Sequence, residues 1–507
     1  MEKTFFLLTL LLLPGISRGQ EKVGDDFERY AHEQEAAFGN YVRNEEKNFK
    51  AYYDSINREF VRYLAKAWPD YPLKKKEPPI KKSVPPTVYK PDTPRPLPAK
   101  QPVKHTEKPQ PLRIPLVDKS KNPANRPLPK IPVALPDNSL KLSFYGTQIA
   151  LAKVAYSLPH LAGTEEQSIA NYWNALTLLP YTDWTDEIRQ LQSSLGLNDW
   201  GMYLLINRIF EAKFPGRPDN EQTVFTVFTL NQLGYKAKIG RSHQTLMPLI
   251  AFNCNVFNTT FFQYGNENGT IYTVYNPGHA DLSTIQSCRM EYGGATRLMD
   301  MSLTTIPALY TQAALQPLKV GEQSYNLSYD KNYVQLLGTY PCVDFRLYAE
   351  STPSEAFLQS IEKQLRPLVH NKSQEEAINA LLHFVQYAFE YKTDDEQFGY
   401  ERWFFPEETV ASAYSDCEDR AILFSQLVRR LLNMEVVLIY YPGRHLATAV
   451  HFDNSDTTGD YLNVDGKKFL ICDPTYFGAL LGMGMPTLKQ TAVEIIKLKN
   501  NPSQRTN

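Results

Sequence analysis

Cys417 stands at the start of a strongly helical sequence. The run Ser415-Asp416-Cys417-Glu418-Asp419-Arg420-Ala421 opens into an apolar-periodic stretch that continues to Leu432 and stops near Asn433, with Ser415 or Asp416 available as cap. Unpaired N–H groups and the positive end of the helix dipole favour a thiolate at such a position. A thiolate nucleophile needs a base, and the base needs an acid to orient it. His445 and His451 are the candidate bases, on one face of an alternating strand from His445 to Phe452. His445, which begins the strand, is favoured. Asp473, in Asp473-Pro474-Thr475, is the candidate acid.

The elements around these residues are legible. Ile378, Leu381, Leu382, Val385 and Phe389 form one helical face. A polar, aromatic-containing loop follows from Lys392 to Trp403. Val436 to Tyr441 reads as a strand, and Asp460–Val464 with Lys468–Cys472 reads as a hairpin around Asp465-Gly466. Plainer roles compete. A buried cysteine at a helix start can be a small hydrophobe. Asp473 before proline can begin a turn. Glu418 and Asp419 suit a helix N-terminus, Cys472 faces away from Asp473, and Trp403 either lines a cleft or packs as a surface aromatic. The acidic turn Asp453 to Asp460 lacks calcium-loop spacing.

Ser415-Asp416-Cys417-Glu418-Asp419-Arg420-Ala421, His445-Leu446-Ala447-Thr448-Ala449-Val450 and Asp473-Pro474-Thr475 occur in the order helix, strand, strand. Over about residues 355–490 this wording resembles the transglutaminase-like branch of the papain-fold superfamily, and is most similar to exported Bacteroidetes-type proteins. The resemblance implies an α+β, papain-like module with thiol chemistry on peptide or isopeptide amides. Cys417, His445 and Asp473 are its implied triad, and it implies no metal and no organic cofactor. The histidine strand departs from the family's commoner His-Ala-Trp wording, so the base is open between His445 and His451.

An upstream segment echoes this layout. A helix begins at Asp219 and runs to Leu233-Gly234. Strands at Tyr235–Ile239, Leu246–Phe252 and Ile271–Tyr275 follow, the last entering Asn276-Pro277. Aligning Gly234 with Asn433 puts Pro218 in the cysteine slot, Thr245 or Leu246 near the histidine slot and Asn276 near the acid slot. The segment therefore reads as a degenerate transglutaminase-like module that has lost all three groups. Cys254 and Cys288 are a possible disulfide pair, which an exported protein permits. Tyr333–Leu337 and Val343–Tyr348 read as β-like runs of a bridge.

The first residues read as an address. Lys3, an apolar run from Phe5 to Leu13 and Ser17-Arg18-Gly19 have the layout of a secretory signal, too short to span a membrane and without a lipobox cysteine. Phe27-x-x-Tyr30, Phe38-x-x-Tyr41, Phe49-x-x-Tyr52 and Phe60-x-x-Tyr63 then repeat every 11 residues. That period of ~3.67 residues per turn keeps the rings on one stripe of a long helix. The stripe either docks on the chain's own globular part or associates with itself or a partner helix. More than half of the 36 prolines lie between Pro69 and Pro136, an extended basic spacer. A net charge of −1 gives no basis for nucleic-acid binding, and a 42% hydrophobic content excludes a wholly disordered chain.

The expected organisation is a signal peptide at 1–19, an amphipathic helix at 20–68, a Pro-rich linker at 69–139, the degenerate module at 140–290, a β-rich bridge at 291–350 and the catalytic module at 351–507. The expected function is that of an exported, periplasmic or secreted cysteine hydrolase or acyl transferase acting on a peptide or protein substrate. The alternative is a catalytically inactive scaffold of the cell envelope.

Overall fold

The computed structural model describes residues 51–78, 87–88, 105–106, 139–153, 156–265, 269–275, 282–452 and 457–499. The predicted signal peptide and most of the 11-residue repeat lie outside them. Two units divide the chain, Met1–Arg58 and Glu59–Asn507. In the first, residues 51–58 are helical. The second is an α+β structure built on two principal sheets, nearly all antiparallel.

The upstream sheet follows four helices, Glu166–Thr177, Tyr181–Leu195, Asp199–Lys213 and Asp219–Gln232. Trp173, Trp184 and Trp200 are buried among them. Residues 59–64 are also helical, and Phe60 packs its ring 5.0 Å from Trp173. This end of the aromatic stripe therefore docks on the chain's own core. In the downstream part, helix Cys417–Leu431 packs on one face of the second sheet, and helices Glu355–Val369 and Gln374–Ala388 pack against it and against each other in one shared core. Val436–Tyr441 is a continuous apolar strand because both faces are covered: Val436 joins the helical core, while Val437, Ile439 and Tyr441 join a second core on the other side.

The two sheets share a topology. Downstream, Val436–Tyr441 pairs with His445–His451, which pairs with Lys467–Cys472, which pairs with Tyr461–Val464; Val493–Lys497 flanks the first strand on its other side. Upstream, Ala237–Ser242, Thr245–Ile250, Thr270–Val274 and Thr259–Tyr264 pair in that same order, with Thr284–Ser287 flanking the first. Every one of these pairings is antiparallel, and each series follows a helix whose exit carries a positive φ, at Gly234 or Asn433. Ser242 pairs with Thr245 as Tyr441 pairs with His445, so Thr245 holds the position equivalent to the histidine. Pro218 is the N-cap of the upstream helix, one position before Asp219, the first helical residue. Asn276 lies outside the described residues.

Three expectations are corrected. The linker assigned to 69–139 is not a mere spacer where it is described. Asp70–Pro72 and Lys74–Lys76 form the two edges of the upstream sheet, while Thr87–Val88 and His105–Thr106 pair in parallel with Tyr476–Phe477 and Val493–Lys497. Extended, proline-containing backbone suits sheet edges, where a missing N–H leaves no ladder bond unmade. The bridge at 291–350 holds one hairpin, Ala313–Val320 with Gln323–Asp330, but Lys331–Leu337 and Phe345–Ala349 are helices. Asp330 starts the first of these by accepting from the N–H groups of Asn332 and Tyr333. Finally, all five cysteines are free, Cys254 and Cys288 included.

Candidate active site

Asp416 is the N-cap and Cys417 the first residue of a helix that is buried along almost its whole length. Asp419 turns back to accept the Asp416 N–H at 3.4 Å and the Phe404 N–H at 2.7 Å, which fixes the helix entry against the preceding loop. Arg420, fully buried one turn below, donates to Ser415 Oγ and to the carbonyls of Gln386 and Phe389. The Gln386 amide then donates to the carbonyls of Tyr476 and Ala479, the turn that follows Asp473. Arg420 and Gln386 thus tie the cysteine helix to the acid-bearing turn. Sequence reading takes Arg420 as a local ion partner of Asp419, whereas its guanidinium goes to Ser415 and two distant carbonyls; it does not single out Gln386, which acts on backbone carbonyls far away in the chain.

His445 begins its strand and is wholly buried. Its Nε2 lies 2.9 Å from Asp473 Oδ2. Thr475 donates its N–H at 3.0 Å and its hydroxyl at 2.8 Å to the other Asp473 oxygen. Burial alone pushes the Asp473 carboxyl up, but His445 and the Thr475 donors outweigh it and hold the pKa below the ordinary value. An ionised Asp473 can only accept, so neutral His445 carries its proton on Nε2 and leaves Nδ1 as the basic nitrogen. Nδ1 is buried with no hydrogen-bond partner. His451, six residues and ~20 Å further along the strand, bonds through Nδ1 to the Lys468 carbonyl and packs on Phe469. The structure therefore joins Asp473 to His445 and not to His451.

Cys417 reaches the amino end of that strand, where the Leu446 N–H points at its sulfur. Its thiol, however, donates to Glu418 Oε2 at 2.9 Å rather than to His445. Burial, followed by the charges of Glu418 and Asp416, pushes the thiol pKa well above its ordinary value. Enclosure and acidic neighbours thus work against the thiolate that the helix dipole favours. Those neighbours form a cluster. Asp394, Asp416 and Asp419 are buried together, with Glu401 and Glu418 beside them. Burial and mutual repulsion raise Asp394 to about 10 and Glu401 to about 7. Asp394 lies too far from Cys417 in sequence for this cluster to be read from a motif.

Trp403 does not line an open cleft. It is buried against Phe345 at 4.0 Å, Phe257 at 5.5 Å and Tyr348 at 5.9 Å. Phe257 belongs to the upstream part, whose Asn258 also donates to the Glu401 carbonyl at 2.7 Å. Cys472 is buried in the helical core, and its thiol donates to the Leu470 carbonyl at 3.7 Å. No helix among the described residues is long and apolar enough to cross a membrane. Comparison of the chain with protein-family models, with curated proteins and with solved structures finds no match.

Proposed function

We propose that the protein is a cysteine-dependent hydrolase or acyl transferase of transglutaminase-like, papain-like type, acting on peptide or isopeptide amides. The supporting observation is the His445–Asp473 pair, which leaves His445 Nδ1 buried, basic and without a partner next to the strand position that meets the Cys417 sulfur. Nδ1 takes the thiol proton, and the sulfur attacks the amide carbonyl carbon. Backbone N–H groups at the helix start, Cys417 among them, receive the negative charge that develops on oxygen. When the intermediate collapses, the C–N bond breaks and the amine leaves with the proton held on Nδ1. Water or a second amine then resolves the thioester, again with Nδ1 as base. Export of the chain and the degenerate nature of the upstream module belong to the same reading; the shared strand order supports the latter.

The enclosed thiol, bonded to Glu418, favours a second reading as a catalytically inactive scaffold. Labelling by a thiol-reactive amide mimic separates the two. The enzyme reading expects labelling of the wild-type protein at neutral pH and none of Cys417→Ala, with an unchanged circular dichroism spectrum. Equal labelling of both proteins, or of neither, sinks it.

A further inference from the structure

The loop that enters strand Thr259–Tyr264 reaches out of the upstream part, and each of its last four residues is held by the chain beyond residue 340. Asn255 donates its N–H and its side-chain amide to the two Asp344 oxygens, at 3.0 and 2.8 Å. Val256 bridges Val343, and the Phe257 N–H goes to the Cys342 carbonyl at 2.7 Å. Asn258 donates from Nδ2 to the Glu401 carbonyl at 2.7 Å. Its φ of +56°, which asparagine tolerates better than most residues, turns the chain from this bridge into the strand.

The segment gripped in this way is the one that fixes the cysteine helix. Three residues beyond Glu401, the Phe404 N–H bonds to Asp419 Oδ1 at 2.7 Å, and Asp419 closes the helix entry. Between them the Trp403 N–H points at the Cys342 sulfur, so Cys342 meets both sides. An apolar route runs beside this polar one. Trp403 lies 5.5 Å from Phe257 and 4.0 Å from Phe345. Phe345 lies 6.1 Å from Tyr440, which pairs with Leu446, the residue whose N–H points at the Cys417 sulfur.

We propose that the upstream part serves as an intramolecular positioning partner for the Cys417 helix, with Asn258 as the positioning residue that sets the 401–404 segment. Packed side chains and hydrogen bonds in unbroken series carry position from one site to another. The role needs none of the three groups that the upstream layout lacks. Its effect on chemistry rests on the cysteine-enzyme reading; its effect on the helix entry does not.

The test uses the full chain with Asn258→Gly or Asn258→Asp. Both replacements accept the positive φ; the first removes the donor, and the second puts there an ionised carboxylate that only accepts. Hydrogen exchange of residues 401–406 and of the first turn of the Cys417 helix should quicken about tenfold. The strand Val436–Tyr441 should exchange as before, and the melting temperature should fall by no more than about 3 °C. Labelling of Cys417 by the amide mimic should slow about tenfold. A merely structural contact would quicken exchange throughout the chain in step with the melting temperature, or leave labelling untouched. Either result overturns the proposal, as does unchanged exchange at 401–406. If the wild type itself is not labelled, the enzyme reading fails and exchange alone decides: quickened exchange at the helix start supports the positioning role, and unchanged exchange overturns it. Should neither variant fold, Phe257→Leu, which keeps the backbone bond to Cys342 and loses the ring contact with Trp403, is judged by the same results.

Discussion

His445 Nε2 lies 2.9 Å from Asp473 Oδ2, and this bond determines which imidazole nitrogen is left to act on a thiol. Asp473→Ala strands the buried Nε2–H together with the N–H of Thr475. The expected loss of stability is about 2–4 kcal/mol. Asp473→Asn keeps an acceptor and should lose less, yet it should slow Cys417 labelling by at least ~10-fold because a neutral amide no longer stabilises the imidazolium. Urea unfolding and labelling rates check both, and a labelling rate unaffected by Asp473→Asn would remove Asp473 from the chemistry.

Glu418 holds the thiol proton through Oε2. Glu418→Gln removes the charge that disfavours the thiolate. The pH midpoint of Cys417 alkylation should therefore move to lower pH than in the wild type. A midpoint that stays in place would show that enclosure alone sets the thiol.

Much of the downstream site is legible in the sequence, and the reasons are local. Cys417 starts the helix and Asn433 ends it, because a cap precedes one and a residue tolerant of positive φ sits at the other. Asp465-Gly466 turns the hairpin, with positive φ at both positions. The contacts of Glu418, Gln386 and Arg420 are not legible, since they depend on partners brought together by packing. Tyr333–Leu337 reads as β-like from Tyr333, Val334 and the leucines, but the Asp330 cap and tertiary packing make Lys331–Leu337 a helix. Pro72 and the lysines beside it look like spacer because edge-strand pairing leaves almost no compositional trace.

Glu408 gives the fold a pH dependence. Burial raises its pKa to about 7 despite the neighbouring Arg402. The folded chain therefore keeps this proton where the unfolded chain has released it. Stability from this group falls as pH rises from the ordinary carboxyl value towards 7, by on the order of 3 kcal/mol. Glu408→Gln has no such proton and should flatten that part of the profile. Unfolding midpoints at pH 5 and pH 7.5 test it; parallel declines in the two proteins would contradict the assignment.

Gly459 and Gly482 touch backbone to backbone. A Cβ on Gly459 would stand 2.5 Å from the Gly482 Cα and 2.8 Å from its carbonyl oxygen, at a φ of +146°. Gly459→Ala should destabilise the fold by roughly 3 kcal/mol. A melting temperature within a degree of wild type would show that the loop yields freely.

The short strands before residue 107 make each sheet depend on covalent continuity. Lys74–Lys76 pairs with the upstream sheet, while Thr87–Val88 pairs three residues beyond Asp473 and His105–Thr106 forms the sheet edge on Val493–Lys497. Two-residue pairings of this kind hold only at the high effective concentration that attachment to the same chain provides. One proteolytic cut between residues 76 and 87 would leave every upstream pairing intact. It would also leave Thr87–Val88 held beside the acid-bearing turn from its C-terminal side alone, so a single nick can loosen the candidate site without touching any residue in it.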